Sequence, residues 1–312
     1  MSKTMSLLSA LLCTFIWGTT FIAQETGMDE IGPFTFNSIR FFVGCFAIVP
    51  LAYIFEYKNF RSSFQVSKKL FLYLVTLIGL SLFLGSALQQ VALIYTDVAN
   101  AAFFTIFYVP MVPIIVFFLH KREIHWSVWP SVILCVIGGY LLTNFYDTTV
   151  RIGDGLVILG AFFWSTHIIF TGMIIKRFNY PLIIGAIQTF IVAILSLIIA
   201  IIFEELILEN ILKEKIEILY AGILSGGLAF VLQIYAQKNI TPAPAAIIFS
   251  LEGVFATDLH NAFGIWKRLD LPTAYLATGT LRPFGGHLPM SEMSPKTASL
   301  LPRPNMPSKR VQ

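Results

Sequence analysis

The chain has 312 residues, of which 56% are hydrophobic and 12% charged, with a mean hydropathy of +0.78. A soluble domain carries about a quarter charged residues, so composition excludes that class and puts the chain in a bilayer. The net charge of +4 does not argue for nucleic acid, because Lys and Arg sit in short clusters between apolar runs, a pattern that orients membrane proteins.

In chain order, the first apolar run exceeds the h-region of a signal peptide and lacks a clear small-residue cleavage site, so it reads as a retained span. Runs of about 18 to 23 mostly apolar residues, each long enough to cross hydrocarbon as a helix, predict spans at 5 to 23, 34 to 55, 70 to 94, 98 to 119 and 126 to 146. Four more follow at 155 to 175, 182 to 203, 216 to 236 and 242 to 257. Cys13, Cys45 and Cys135 all fall inside these runs without metal or disulfide spacing, and read as core residues.

If the spans alternate, Lys3, Lys58, Arg61, Lys68, Lys69, Lys121, Arg122, Lys176, Arg177 and Lys238 share one side. The other side receives Glu25, Asp29, Glu30, Asp97, Asp147 and Arg151, then Glu204, Glu205, Glu209, Glu214 and Glu217 with Lys213 and Lys215. Basic loops stay in the cytoplasm, which predicts a cytoplasmic N-terminus in a multi-pass protein of the cell membrane.

The sixth span restarts the first. Trp17 matches Trp164 at an offset of 147; Pro33, Arg40 and Phe55 match Pro181, Gln188 and Phe203 at 148; Leu88, Gln89 and Ala92 match Leu232, Gln233 and Ala236 at 144. Near-constant offset argues for duplication of a five-helix unit, 5–146 and 153–257. An odd number of spans per unit forces the copies into opposite orientations, an inverted repeat of the kind that places a transporter's substrate site near mid-bilayer.

Phe15, Ile16, Trp17, Gly18, Thr19, Thr20 and Phe21, then Arg40, the run Ala99 to Ala102 leading to Pro110, Gly138 with Gly139, and Ser250, Leu251 and Glu252 resemble the EamA-type branch of the drug/metabolite transporter superfamily. The resemblance covers roughly residues 5 to 256. It implies an all-α polytopic membrane protein of ten helices in two inverted five-helix repeats, moving amino acids or other small metabolites by alternating access. Two departures stand out. Gly253 takes the place of an expected Pro in the ninth span, and no window in 258–290 reaches the length of a span. The tenth helix is thus lost or garbled there, and two compensating reading-frame shifts would account for the composition; a genuinely divergent tail is the alternative. Residues 291–312 form a basic polar tail.

Polar groups inside spans are costly and mark candidate sites. Arg40 suits an anionic substrate group, or else an ion pair or a snorkelling head. Glu252 suits a cationic substrate, a proton or a helix end, with a structural bond as the alternative. Gln89 and Gln233, at matching positions, suit a cavity wall, whereas Gln90 and Gln188 suit bonds between helices. His167 could line the path, carry a proton, or be held by a backbone carbonyl. Trp17 and Trp164 lie inside their spans rather than at the interfaces where Trp anchors, which suits packing or an aromatic cavity wall. Pro110 and Pro113 are candidate bend points in the fourth span, and Gly222 with Gly226 permits close helix approach.

No Gly-rich loop followed by Gly-Lys-Ser or Gly-Lys-Thr occurs, so the sequence shows no sign of an ATP motor; no metal ligand set or cofactor is implied. The reading is a secondary exporter of small metabolites such as amino acids, not an enzyme, with a small-molecule substrate and the lipid bilayer as partners, a homodimer allowed and nucleic acid excluded. The alternatives are a membrane-embedded enzyme acting on lipid or peptide, and a passive channel or structural subunit.

Overall fold

The computed structural model describes residues 2–120, 125–142 and 151–257, all within one compact unit. The predicted loss of the tenth helix at 258–290, the tail at 291–312, and the charged positions Lys121, Arg122 and Asp147 lie outside the described residues.

Among the described residues the chain is helical throughout and holds no strand. The helices are α1 (Lys3–Thr26), α2 (Pro33–Phe55), α3 (Tyr57–Ala92), α4 (Val98–Thr105), α5 (Tyr108–His120), α6 (Val128–Leu142), α7 (Ile152–Phe178) and α8 (Pro181–Phe203). They continue with α9 (Leu208–Lys213), α10 (Lys215–Tyr220), a π-helical segment (Ala221–Ala229), α11 (Phe230–Ala236) and α12 (Pro242–Phe249), followed by a helical stretch at 251–257. Seven stretches are long and apolar enough to cross a membrane, and Val128–Gly138 and Pro242–Thr257 are shorter apolar helices. The chain is therefore an all-α polytopic membrane protein. Exposed Phe46, Leu134, Phe118 and Phe203 on its outside suit hydrocarbon rather than water.

Five elements differ from the sequence prediction. The linker carrying Lys58, Arg61, Lys68 and Lys69 is helical, joined to the third span through a non-helical Ser67. The acidic segment before the eighth span contains the short α9. The eighth span changes to π-helix over Ala221–Ala229, where Gly222, Gly226 and Gly227 weaken the α preference. Finally, the fourth and ninth spans are each interrupted near their middle, at Ile106–Phe107 and at Ser250.

Pro110 explains the first interruption. It has no N–H to give Ile106, and its ring crowds the carbonyl four residues back. The chain tightens instead into three-residue turns, with the N–H groups of Ile106 and Phe107 donating to Phe103 and Phe104. Pro113 lies within continuous α5 and marks no comparable break. At the second interruption Gly253 keeps its N–H and donates it to Ser250 at 3.1 Å. Gly253 also lets this span reach the fourth, since a Cβ there would sit 2.9 Å from Ile106 Cδ1.

The centre of the fold is the pair α2 and α8. Each begins with proline, whose missing N–H costs nothing at a helix start. Each also has its open N–H groups capped by a glutamate that follows the other. Glu204 accepts from the Phe34 and Thr35 N–H groups at 2.8 and 2.7 Å and from Thr35 Oγ1 at 2.6 Å. Glu56 accepts from Leu182 N at 3.2 Å and Ile183 N at 3.0 Å. The two caps lie at opposite ends, so α2 and α8 run antiparallel. They also match position for position at the offset of 148. A carboxylate on a helix N-terminus contributes about 0.3–2 kcal/mol. Burial raises the Glu56 carboxyl, opposed by the bonds from Ile183 and Leu182 and by the charge of Lys238. The Lys238 ammonium is lowered by the same burial and raised by Glu56.

The remaining packing repeats under exchange of halves. α3 packs on α7 and α8, as the π segment packs on α1 and α2 and α11 on α1 and α8. α5 crosses α12, the two interrupted spans meeting each other. One end of the bundle gathers Glu56, Lys238, the Tyr180–Asn59 bond and the Ser6–Asn239 bond. The other gathers the Glu204 cap, the Lys213–Glu30 ion pair at 3.6 Å, Arg151–Asp97 at 2.8 Å, and Asp154 with Thr96.

Candidate functional site

Where α1, α2, α3, α5, α7 and the eighth and ninth spans converge, they leave a cavity of about 40 Å³. One water needs about 10–15 Å³ on this measure, so there is room for about three. Six of the seven predicted path residues line it: Trp17, Arg40, Gln89, Trp164, Gln233 and Glu252. The seventh, His167, does not; it stands one layer behind.

Arg40 is 3% exposed, and the bonds it makes within the described residues go to the Asn37 side chain, Nε at 3.1 Å and Nη2 at 2.8 Å. Asn37 is itself held by Ser86 of α3 and Ser196 of α8. The guanidinium lies 4.8 Å from the Phe41 ring centre and 5.7 Å from that of Phe36. No acidic side chain among the described residues pairs with it, which overturns the ion-pair reading. The result is a cation fixed in place by neutral groups.

Glu252, 6% exposed, accepts one bond from Tyr108 OH at 3.1 Å. Tyr108 and Glu252 match at the offset of 144, and each comes just after its span's interruption. Their bond therefore joins the two breaks. A bare charge at mid-bilayer costs about 2.5–3.5 kcal/mol or more, so Glu252 needs a proton, water or a cation.

The wall between these groups is aromatic. Phe230, the first residue after the π segment, sits with its ring centre 5.2 Å from Trp17, 6.3 Å from Trp164 and 5.9 Å from His167, and Phe249 closes on Trp17 at 5.7 Å. The Trp17 and Trp164 indole N–H groups find no acceptor among the described residues. His167 is fully buried, its Nε2 3.1 Å from Gln188 Oε1 and its Nδ1 3.4 Å from Gln233 Nε2. That pattern fits a neutral ring donating through Nε2 and accepting at Nδ1, so side-chain amides rather than a backbone carbonyl hold it. It fixes Gln233, whose Oε1 has no partner among the described residues. On the opposite wall Gln89 donates to Gln24 Oε1 at 3.3 Å, and Gln90 donates to the Gln24 carbonyl at 2.8 Å.

The π segment supplies Ser225 to the lining and brings the eighth span onto α2. A Cβ at Gly44 would lie 2.6 Å from the Gly226 carbonyl carbon and 2.8 Å from Gly227 N; one at Gly222 would lie 2.8 Å from the Arg40 carbonyl oxygen. Arg40 is thus held in register by backbone on backbone.

The profile of the EamA-like transporter family matches this chain twice, over residues 4–144 and 151–264. The chain belongs to the EamA-like transporter family. An uncharacterised transporter of Archaeoglobus fulgidus is 30% identical over 249 residues, covering 80% of this chain and 75% of the relative. One of Bacillus subtilis is 22% identical over 261 residues, covering 80% of this chain and 85% of its own length. A solved crystal structure superposes with a TM-score of 0.68 at 17% identity, covering 84% of this chain and 89% of the other, and shares the fold.

Within this EamA-like chain the sequence reasoning missed Gln24, Tyr108, Ser225, Phe230 and Phe249 as cavity residues. Tyr108 carried a signal, since counting back 144 from Glu252 reaches it. Phe230 carried none, being one of 29 phenylalanines.

Proposed function

We propose that this membrane transporter is a secondary exporter of small amphipathic metabolites, amino acids with apolar side chains above all, and that it works by alternating access. In this reading 5–146 and 153–257 are inverted repeats that rock about the α2–α8 pair. The end bearing Lys58, Lys176 and Lys238 faces the cytoplasm with the N-terminus. The observation that carries it is the central cavity with Arg40 free of any acidic partner among the described residues, a singly bonded Glu252 and an aromatic wall in between.

Each part of such a substrate meets a fitting group. A carboxylate finds Arg40, an ammonium finds Glu252, and an apolar side chain finds Trp17, Trp164 and Phe230. The family membership, the matched caps and the interrupted spans support movement of two halves about a central site. A cavity with space for about three waters must widen to admit such a molecule.

The test is counterflow in proteoliposomes loaded with unlabelled leucine or phenylalanine. The expected result is transient, saturable accumulation of the labelled amino acid, absent in empty vesicles. Flux that stays linear with concentration would indicate a channel, and none with either amino acid would remove this substrate class.

A further inference from the structure

His167 stands behind the cavity wall, and the way it is held decides what that wall presents. We propose that His167 is a positioning residue for substrate selection: it keeps the Gln233 amide turned with Oε1 toward the cavity, so that the site takes a hydrogen-bond donor at the substrate's amino position and rejects a carbonyl there. The inference rests on the transport reading above and adds a determinant of which small metabolites are taken.

The ring is fully buried, and no charged side chain among the described residues bonds it. A buried imidazole without a counter-charge is neutral, so it has one N–H and one lone pair to offer. The Gln188 oxygen, 3.1 Å from Nε2, calls for the N–H there. Nδ1 is left as the acceptor and takes the Gln233 Nε2–H at 3.4 Å. Which nitrogen of a histidine carries the proton is set by the bond the other makes, so Gln188 fixes, through the ring, which end of Gln233 is drawn back. Trp164 and Phe230 stand edge-on to the ring, at 6.1 and 5.9 Å between centres, and leave it little room to turn over.

Gln233 lines the cavity and His167 does not. With its nitrogen committed to the wall, the amide has only its oxygen to offer the cavity, and that oxygen has no partner among the described residues. The matching residue of the first half is held alike, since Gln89 spends Nε2 on Gln24 Oε1 at 3.3 Å.

An amide oxygen accepts hydrogen bonds and cannot donate. A substrate ammonium donates to it. A carbonyl at the same position leaves two acceptors facing each other, both unpaired in a buried site, and sites built to bond an N–H discriminate strongly on that account. Glu252 supplies charge for the ammonium, whereas Gln233 supplies a second acceptor whose direction the ring sets.

The experiment uses the full chain. In proteoliposomes, the concentrations of unlabelled leucine and of its keto acid analogue that halve labelled-leucine counterflow give a preference ratio. Gln233→Leu should lower that ratio by about tenfold, the worth of one hydrogen bond to a charged group. His167→Phe, which keeps a flat ring but loses Nδ1, should lower it by a smaller factor, and no further in a Gln233→Leu background. A merely structural role would slow counterflow without moving the ratio. Nitrogen NMR of the histidine-labelled protein should show one ring, absent in His167→Phe or His167→Asn, with a bare Nδ1 and a protonated Nε2.

A protonated Nδ1 in that ring, or a ratio unchanged by both substitutions, overturns the proposal. If the unaltered protein shows no leucine counterflow, the transport reading fails. The nitrogen signal alone then decides whether the ring holds Gln233, a protonated Nε2 upholding it and a protonated Nδ1 overturning it.

Discussion

Arg40→Ala should reach the membrane folded and lose leucine counterflow by about 10- to 100-fold. Losing a charge-assisted hydrogen bond from a buried site costs about 1.5–3 kcal/mol, and each 1.4 kcal/mol is tenfold. Arg40 faces the ligand without a competing acid, so little of its charge is spent within the protein. Asn37 keeps its bonds to Ser86 and Ser196, which should spare the fold. Arg40→Lys is the informative comparison. It restores the charge but not the planar fork held against Asn37 and Phe41, and should recover only part of the loss. Initial counterflow rates, normalised to folded protein, check both. Equal rates for Arg40→Ala and the unaltered protein would remove Arg40 from the site.

Gly44→Val should prevent accumulation of folded protein. A side chain there meets the backbone of Gly226, Gly227 and Gly222 within 2.9 Å, and backbone cannot turn aside as a flexible side chain can. Even Gly44→Ala forces α2 and the π segment apart. Overpacking costs about 1–3 kcal/mol, and about 2 kcal/mol lowers Tm by roughly 4–8 °C in a chain of this size class. Gly138→Ala is the control, because a Cβ there meets nothing within 4 Å. Thermal unfolding of the two alanine variants in detergent separates them. Equal Tm values would show that the close crossing is not needed.

How much of this was legible in the residues differs by level. The spans are legible because hydrocarbon demands about 20 apolar residues regardless of what packs beside them. The matched positions Trp17 with Trp164 and Gln89 with Gln233 are legible because numbering survives where identity fades. Six of the seven predicted path residues line one cavity because a polar side chain inside a span has few tolerable places to face.

What the linear pattern hides is register between helices. Nothing local says that Glu204, in an acidic segment placed on the side opposite the basic loops, reaches back to the N–H groups of Phe34 and Thr35. Nor does it say that His167 stands behind Gln233, since both spans are apolar on nearly every side. Pro110 signals a bend, but the break falls at Ile106–Phe107, one turn earlier, because a proline acts on the carbonyl four residues back. The ninth span breaks at a matching place without a proline, so that break follows from packing and not from a local residue.

The central claim is that one central chamber opens to each side of the membrane in turn, and Ser225, which lines it, reports on it directly. The measurement is labelling of Ser225→Cys, in a chain with Cys13, Cys45 and Cys135 replaced by alanine, using a membrane-impermeant thiol reagent applied from either face. The account predicts labelling from both faces at comparable rates, slowed from both by leucine. Labelling confined to one face under every condition, or absent from both, would contradict it.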